Sequence, residues 1–206
     1  MLVSTNLRWD SPRQSRAILA EPPTRYGLDD SDKPAIKSET QVAVSLLGTA
    51  IDDIGHVGNQ LPSFRLKDAV GVEQNSADLL GQDALLITFF RGEWCPFCNI
   101  AVAGLQKYHT VLKSKGGNLV AITPELPNNT WTMTQKHELE FPVLTDHDNE
   151  FARQLGIERN GDDSVEVPIP ATLLVDKDGI VRNLFLEPDY YKRVGSMVVL
   201  GWVEAL

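Results

Sequence analysis

Cys95 and Cys98 are the only cysteines in the 206-residue chain, and they stand with two residues between them in Trp94-Cys95-Pro96-Phe97-Cys98. Sulfur atoms at that spacing can form half of a zinc site, can pack inertly, or can trade electrons as a dithiol. A zinc site needs two more ligands, and His56, His109, His137 and His147 are scattered singly with no H-x-x-x-H pair. Inert packing gives no reason for a W-C-P-F-C segment at the start of a helix. The dithiol reading uses the spacing: one thiolate attacks a substrate and the second sulfur displaces the mixed species. Arg91 and Glu93 stand just ahead of the pair. Arg91 could lower a thiolate pKa or hold an oxygen anion, and could equally be a surface arginine; Glu93 could move a proton, but on a turn such a residue is more often a solvated charge.

The elements that must position this pair lie on either side of it. Ala84 to Phe90 (ALLITFF) is an apolar run bounded by Gly81 and Gly92, which suits a strand buried on both faces of a sheet. After Cys98, the residues Ala101, Leu105, Tyr108 and Leu112 recur at helical spacing, and Gly116-Gly117 ends the run. The cysteines therefore stand where a central strand becomes a helix. Unpaired first-turn N–H groups and the positive end of the helix dipole favour a thiolate there, and Pro96 suits the first helical position. The sulfurs are expected at the mouth of a cleft.

Leu61 to Leu66 alternates in polarity and Val70-Gly71-Val72 follows a turn at Asp68, which predicts an N-terminal hairpin, with a short helical turn over Ser76 to Leu80. Asn118 to Thr123 reads as a second buried strand, Thr130 to Glu138 as a helix, Phe141 to Leu144 as a short strand and Asn149 to Leu155 as a helix. A charged loop follows over 158–166. Ala171 to Val175 and Ile180 to Phe185 flank Asp176-Lys177-Asp178-Gly179, a hairpin signal. A closing helix after Asp189 would place Val194, Met197, Val198, Gly201, Trp202 and Ala205 on one face. Strands alternating with helices predict an α/β fold, a mixed central sheet flanked by helices, with the site at the carboxyl ends of strands. Asp146-His147-Asp148 with Glu150 has the residue types of a metal site, but it precedes a helix, where such residues cap.

Residues 1–37, with prolines at 12, 22, 23 and 34 and no apolar period, predict a loosely ordered extension. Ser38-Glu39-Thr40-Gln41 has capping-box spacing and opens a helix over about 39–54, which packs on the domain or serves as an interface in a homodimer. The expected organisation is an extension over 1–37 and a single domain over 38–206, with its core from 57. The formal net charge of −9 argues against nucleic acid or an anionic membrane as partner. No apolar run approaches membrane length and no secretory h-region follows the N-terminus. Arg8, Arg13, Arg16 and Arg25 with several serines faintly resemble a transit peptide; Trp9-Asp10, Glu21 and the prolines count against it. A lone C-x-x-C pair without a signal fits a redox-active dithiol in the cytoplasm.

Five segments carry a resemblance: Leu61-Pro62-Ser63-Phe64, Phe90 to Asn99 (FRGEWCPFCN), Leu119 to Pro124, Phe141 to Asp146 (FPVLTD), and Pro170 to Asp176 with Gly179. Over roughly 57–190 the chain resembles thioredoxin-fold proteins, and more narrowly the peroxiredoxin-like branch of the alkyl hydroperoxide reductase/thiol-specific antioxidant family. The resemblance implies a thioredoxin-like fold and Cys95 in the place of the thioredoxin nucleophile, with Trp94 before it and Cys98 as resolver. It also puts Cys98 in the place of the peroxidatic cysteine, because T-x-x-C lines up with C-x-x-C. Pro170 looks like the cis-proline facing the pair, and Phe97, Ile169 and Pro170 would contact substrate. The implied activity is a thiol-dependent reduction of a small peroxide, an endoperoxide or a disulfide. It would use no bound cofactor and an external thiol reductant such as glutathione or thioredoxin. A non-redox biosynthetic enzyme, or a binding module with an idle cysteine pair, is the alternative on the same fold. The departures are specific: the P-x-x-x-T-x-x-C pattern counted back from Cys98 meets Cys95 and Arg91 in place of Thr and Pro. The buried acid that many thioredoxins place six residues before the nucleophile is Phe89.

Overall fold

The computed structural model describes residues 57–158 and 167–206. The expected extension over 1–37, the helix over about 39–54 and most of the charged loop over 158–166 lie outside the described residues. Within them run β1 (Arg65–Asp68), β2 (Glu73–Asn75), α1 (Ser76–Leu80), β3 (Ala84–Phe89), α2 (Pro96–Ser114), β4 (Gly117–Thr123), α3 (Pro127–Lys136), β5 (Val143–Thr145), α4 (Glu150–Gln154), β6 (Ala171–Val175), β7 (Val181–Leu186) and α5 (Ser196–Glu204).

The seven strands form one mixed sheet in the order β2-β1-β5-β4-β3-β6-β7. β3, β4 and β5 are parallel neighbours, joined through α2 and α3, whereas β6 runs antiparallel to β3, and β1 antiparallel to β5. Every residue of β3 is buried, as its unbroken apolar run requires of a central strand. Alternate side chains go to opposite layers. Ala84 and Leu86 join Val102, Leu105, Leu112, Met133, Val199 and Val203 on the side of α2, α3 and α5. Leu85, Ile87 and Phe89 join Phe64, Phe151, Leu173 and Val175 on the side of α4. Phe151 packs between Phe64 and Phe89, with ring centroids 4.5 and 5.7 Å away.

Three elements differ from the sequence-based expectation. The N-terminal hairpin turns later than expected, because Asp68 accepts the N–H groups of Val70 and Val72 and carries the turn through residue 72. α3 starts at Pro127, whose missing N–H suits a first turn. The closing helix begins only at Ser196 and buries Val199 and Val203, leaving Met197 and Val198 exposed. Residues 187–195 instead form an irregular strap, tied by Lys192 to Asp189 at 2.6 Å and to Glu187 at 3.5 Å.

Candidate active site

Cys95 is the N-cap residue of α2, in extended conformation, with Pro96 opening the helix. The 19-residue helix aims its unpaired N–H groups and positive dipole end toward this position. The loop before it is held tightly. A side chain at Gly92 would collide with the Trp94 indole and with the Glu125 carboxyl. Glu125 accepts the Glu93 N–H at 2.5 Å and the Asn129 amide at 3.2 Å, anchoring the loop to α3. Asn99 donates to the carbonyls of Glu93 (2.5 Å) and Cys95 (2.9 Å). Its amide oxygen meets His137 Nε2 at 2.7 Å, so that nitrogen carries the hydrogen. Burial, reinforced by the Lys136 charge, holds the His137 pKa below its usual value.

The two sulfurs are inequivalent. The Cys98 thiol donates a hydrogen bond to Cys95, and this is the main reason that the Cys95 pKa is lowered to about 6. Burial opposes the shift, while the Cys98 backbone N–H and the Arg193 and Arg91 charges support it. The same hydrogen bond, reinforced by burial, pushes the Cys98 thiol far up, with Arg193 pulling against it. Both cysteines are free thiols.

The expected open cleft is not what surrounds them. Cys95 is 1% exposed and Cys98 0%. The 187–195 strap reaches the site from above. Tyr190 meets Phe97 edge-on at 5.9 Å, and the Arg91 guanidinium sits 4.7 Å from the Trp94 ring and 5.0 Å from the Tyr190 ring. Arg193 Nη2 donates to Cys98 Sγ at 3.1 Å. A cleft of about 490 Å³ lined by Phe64, Arg65, Asn75, Asp146 and Phe151 lies on the far side of the sheet and contains neither cysteine.

The residues singled out by sequence fall into two groups. Cys95, Cys98, Trp94, Pro96, Phe97 and Arg91 are brought together; Trp94 is half-exposed, and Arg91 is stacked between two rings, its Nε without a partner. Glu93 is spoken for by Lys136 at 2.7 Å. Ile169 and Pro170 precede β6, whose Ala171 pairs with Phe89, so they reach the same end of the sheet as the cysteine loop. Their backbone groups are committed: the Ile169 N–H to Ile157 at 2.7 Å and the Pro170 carbonyl to the Glu187 N–H at 3.2 Å. Among the described residues no peptide bond is cis, so Pro170 corrects the cis-proline expectation. Asp146 caps α4 as expected, accepting the N–H groups of Phe151 and Ala152. Arg193, Tyr190, Asn99 and His137 join the site without having been marked by residue type and spacing. Asn99 closes the Phe90 to Asn99 segment around the cysteines, but Arg193 is 95 residues from Cys98 and carries no local signal.

The AhpC/TSA family profile matches residues 57–184, well over half of the chain. The chain belongs to the AhpC/TSA family. Peroxiredoxin Bcp of Escherichia coli K12 is 27% identical over 150 residues, covering 71% of this chain and 94% of that relative. Chloroplastic peroxiredoxin Q of Populus jackii is 24% identical over 128 residues, covering 62% of this chain and 59% of the relative. Among solved structures, peroxidoxin BcpB from Mycobacterium tuberculosis superposes with a TM-score of 0.66 at 17% identity, over 73% of this chain and 97% of its own. A peroxiredoxin-like protein from Aquifex aeolicus gives 0.68 at 14%, over 75% and 90%. These structures share the thioredoxin fold seen here. Arg193 and Tyr190 lie beyond the AhpC/TSA match. No helix among the described residues is long and apolar enough to cross a membrane.

Proposed function

We propose that this AhpC/TSA-family thiol oxidoreductase reduces small peroxides, with Cys95 as the attacking sulfur and Cys98 as the resolving one. The observation that carries this reading is the asymmetry of the pair. Cys95, lowered to about 6, is a thiolate at neutral pH, whereas Cys98 is held as the thiol that donates to it. Of the two positions the resemblance allows for the attacking sulfur, this favours the thioredoxin-like one. Relatives named peroxiredoxins supply peroxide as the substrate class. Burial supports it too, since a sulfur in a 1% exposed residue suits a small oxidant better than a disulfide on a protein surface.

The Cys95 thiolate attacks one peroxide oxygen, the O–O bond breaks, and the departing alkoxide or hydroxide takes up a proton. Cys95 becomes a sulfenic acid and the peroxide is reduced by two electrons. Cys98 then attacks the Cys95 sulfur, the S–S bond forms, and the sulfenic oxygen leaves as water with the Cys98 proton. Two equivalents of an external thiol, glutathione or thioredoxin in chemical class, restore the dithiol and leave as a disulfide. A pair that must be reduced after each turnover belongs in a reducing compartment such as the cytoplasm.

One equivalent of hydrogen peroxide or of an alkyl hydroperoxide, added to wild type, Cys95→Ser and Cys98→Ser, tests the assignment. Wild type should lose both thiols and gain an intramolecular disulfide. Cys98→Ser should accumulate a dimedone-trappable sulfenic acid on Cys95, and Cys95→Ser should be inert. Oxidation of Cys98 in Cys95→Ser would reverse the roles. Efficient reduction of insulin by a protein indifferent to peroxides would replace the peroxide reading with disulfide reduction.

A further inference from the structure

We propose that Arg193 is a catalytic residue that stabilises the negative charge on Cys98 whenever that sulfur becomes a thiolate. The proposal rests on the reading of Cys98 as the resolving sulfur. Its basis is geometric. Arg193 Nη2 lies 3.1 Å from Cys98 Sγ, while Nη1 donates to the carbonyls of Tyr190 at 2.5 Å and Lys192 at 2.6 Å. The guanidinium fork is thus fixed to its own strap on one arm and applied to sulfur with the other. The neighbouring cation, Lys192, is directed at Asp189 and Glu187 instead.

Cys98 is 0% exposed, so water cannot hydrate a thiolate there, and an unpaired buried anion is costly. Among the described residues, the charged and titratable groups that act on it are Cys95, Arg193 and the Arg91 segment. Cys95 adds negative charge, and Arg91 offers a backbone N–H while its guanidinium is stacked between Trp94 and Tyr190. Among the described residues, that leaves Arg193 as the cation with a donor N–H on the sulfur. It also lies outside the stretch matched by the family profile, which ends at residue 184.

Cys98 bears charge at two points in the cycle. During closure it surrenders its proton to the sulfenic oxygen as it attacks Cys95, and water leaves. During reduction an external thiolate attacks Cys95, the S–S bond breaks, and Cys98 departs with the bonding electron pair. Arg193 stabilises the thiolate character of Cys98 in both. A second external thiol then releases Cys95 from the mixed disulfide.

Rapid mixing of wild type, Arg193→Gln and Arg193→Lys with one equivalent of peroxide, quenched at intervals over a range of pH, separates sulfenic acid formation from disulfide closure. In Arg193→Gln, closure should slow about tenfold at neutral pH and its pH profile should move up by about one unit, with sulfenic acid formation much less affected. Arg193→Lys, which keeps the charge but not the fork, should fall between the two and provides the comparison if the glutamine variant does not fold. Equal closure rates and superimposable pH profiles in the variants and wild type would overturn the role of Arg193. Failure of wild type to form any sulfenic acid or disulfide would instead overturn the peroxide reading on which it rests.

Discussion

Asn99 shows how a side chain with no reactive atom can govern a reactive one. Its amide ties the carbonyls of Glu93 and Cys95 together while its oxygen takes the His137 N–H, so three backbone and ring groups depend on one residue. Asn99→Ala should lower stability in urea unfolding by about 1 kcal/mol, the net worth of a typical hydrogen bond, with more lost if His137 finds no new partner. Asp146→Ala should cost more, about 1–3 kcal/mol by the same measurement, because it strands the buried N–H groups of Phe151 and Ala152. At this scale the sequence was informative where chemistry is local. Cys95, Cys98 and Pro96 declare themselves by type and spacing, and Asp146 by its place before a helix. Arg193 and His137 do not, because each acts on a residue far away along the chain. A lone arginine beside two tyrosines looks like ordinary surface until the strap is folded over the site.

At the scale of elements, the site is a strand-to-helix junction with a cover. β3 and α2 were legible because their apolar periodicity differs sharply, two buried faces giving way to one buried stripe. The closing helix was legible in kind but not in face. Val199 and Val203 are buried at i and i+4, whereas Met197 and Val198, on the neighbouring face with an equally apolar spacing, are exposed. The strap itself has no periodicity to read; ion pairs and aromatic edges shape it. Its hold on the site includes the stacking of Tyr190 on Arg91, an interaction of about 0.5–1 kcal/mol at a partly exposed position. Tyr190→Ala should therefore raise the iodoacetamide reaction rate of Cys95 about two- to fivefold at a pH where the thiolate is fully formed. An unchanged rate would mean that the strap does not limit access. Gly92→Ala should slow peroxide reduction and lower the thermal midpoint together, since the added methyl has to displace the Trp94 indole or the Glu125 carboxyl that anchors the loop.

Across the whole molecule, two apolar layers on either side of one sheet keep the cysteine junction rigid, and the layer under α5 bears directly on it. Val203 packs against Gly117 at the start of β4, and α5 closes the same core cluster that contains both cysteines. Val203→Ala should cost about 2 kcal/mol in unfolding free energy, from lost burial plus the cavity left behind. The α/β class and the mixed sheet could be anticipated from element order alone, and the family from the motif around the cysteines. The burial of the pair could not, because the strap that covers it lies far along the chain and outside the matched region. The inequivalence of the sulfurs is what converts this frame into a directional dithiol. Alkylation of the native protein across the pH range, with each cysteine quantified separately by mass spectrometry, measures it directly. The thiolate fraction of Cys95 rises with pH, so its reaction should climb through a midpoint near 6 and then level off, while Cys98 remains protected far into the alkaline range. Two midpoints together at about 8.5, the value of a free thiol, or reaction of Cys98 before Cys95, would contradict it.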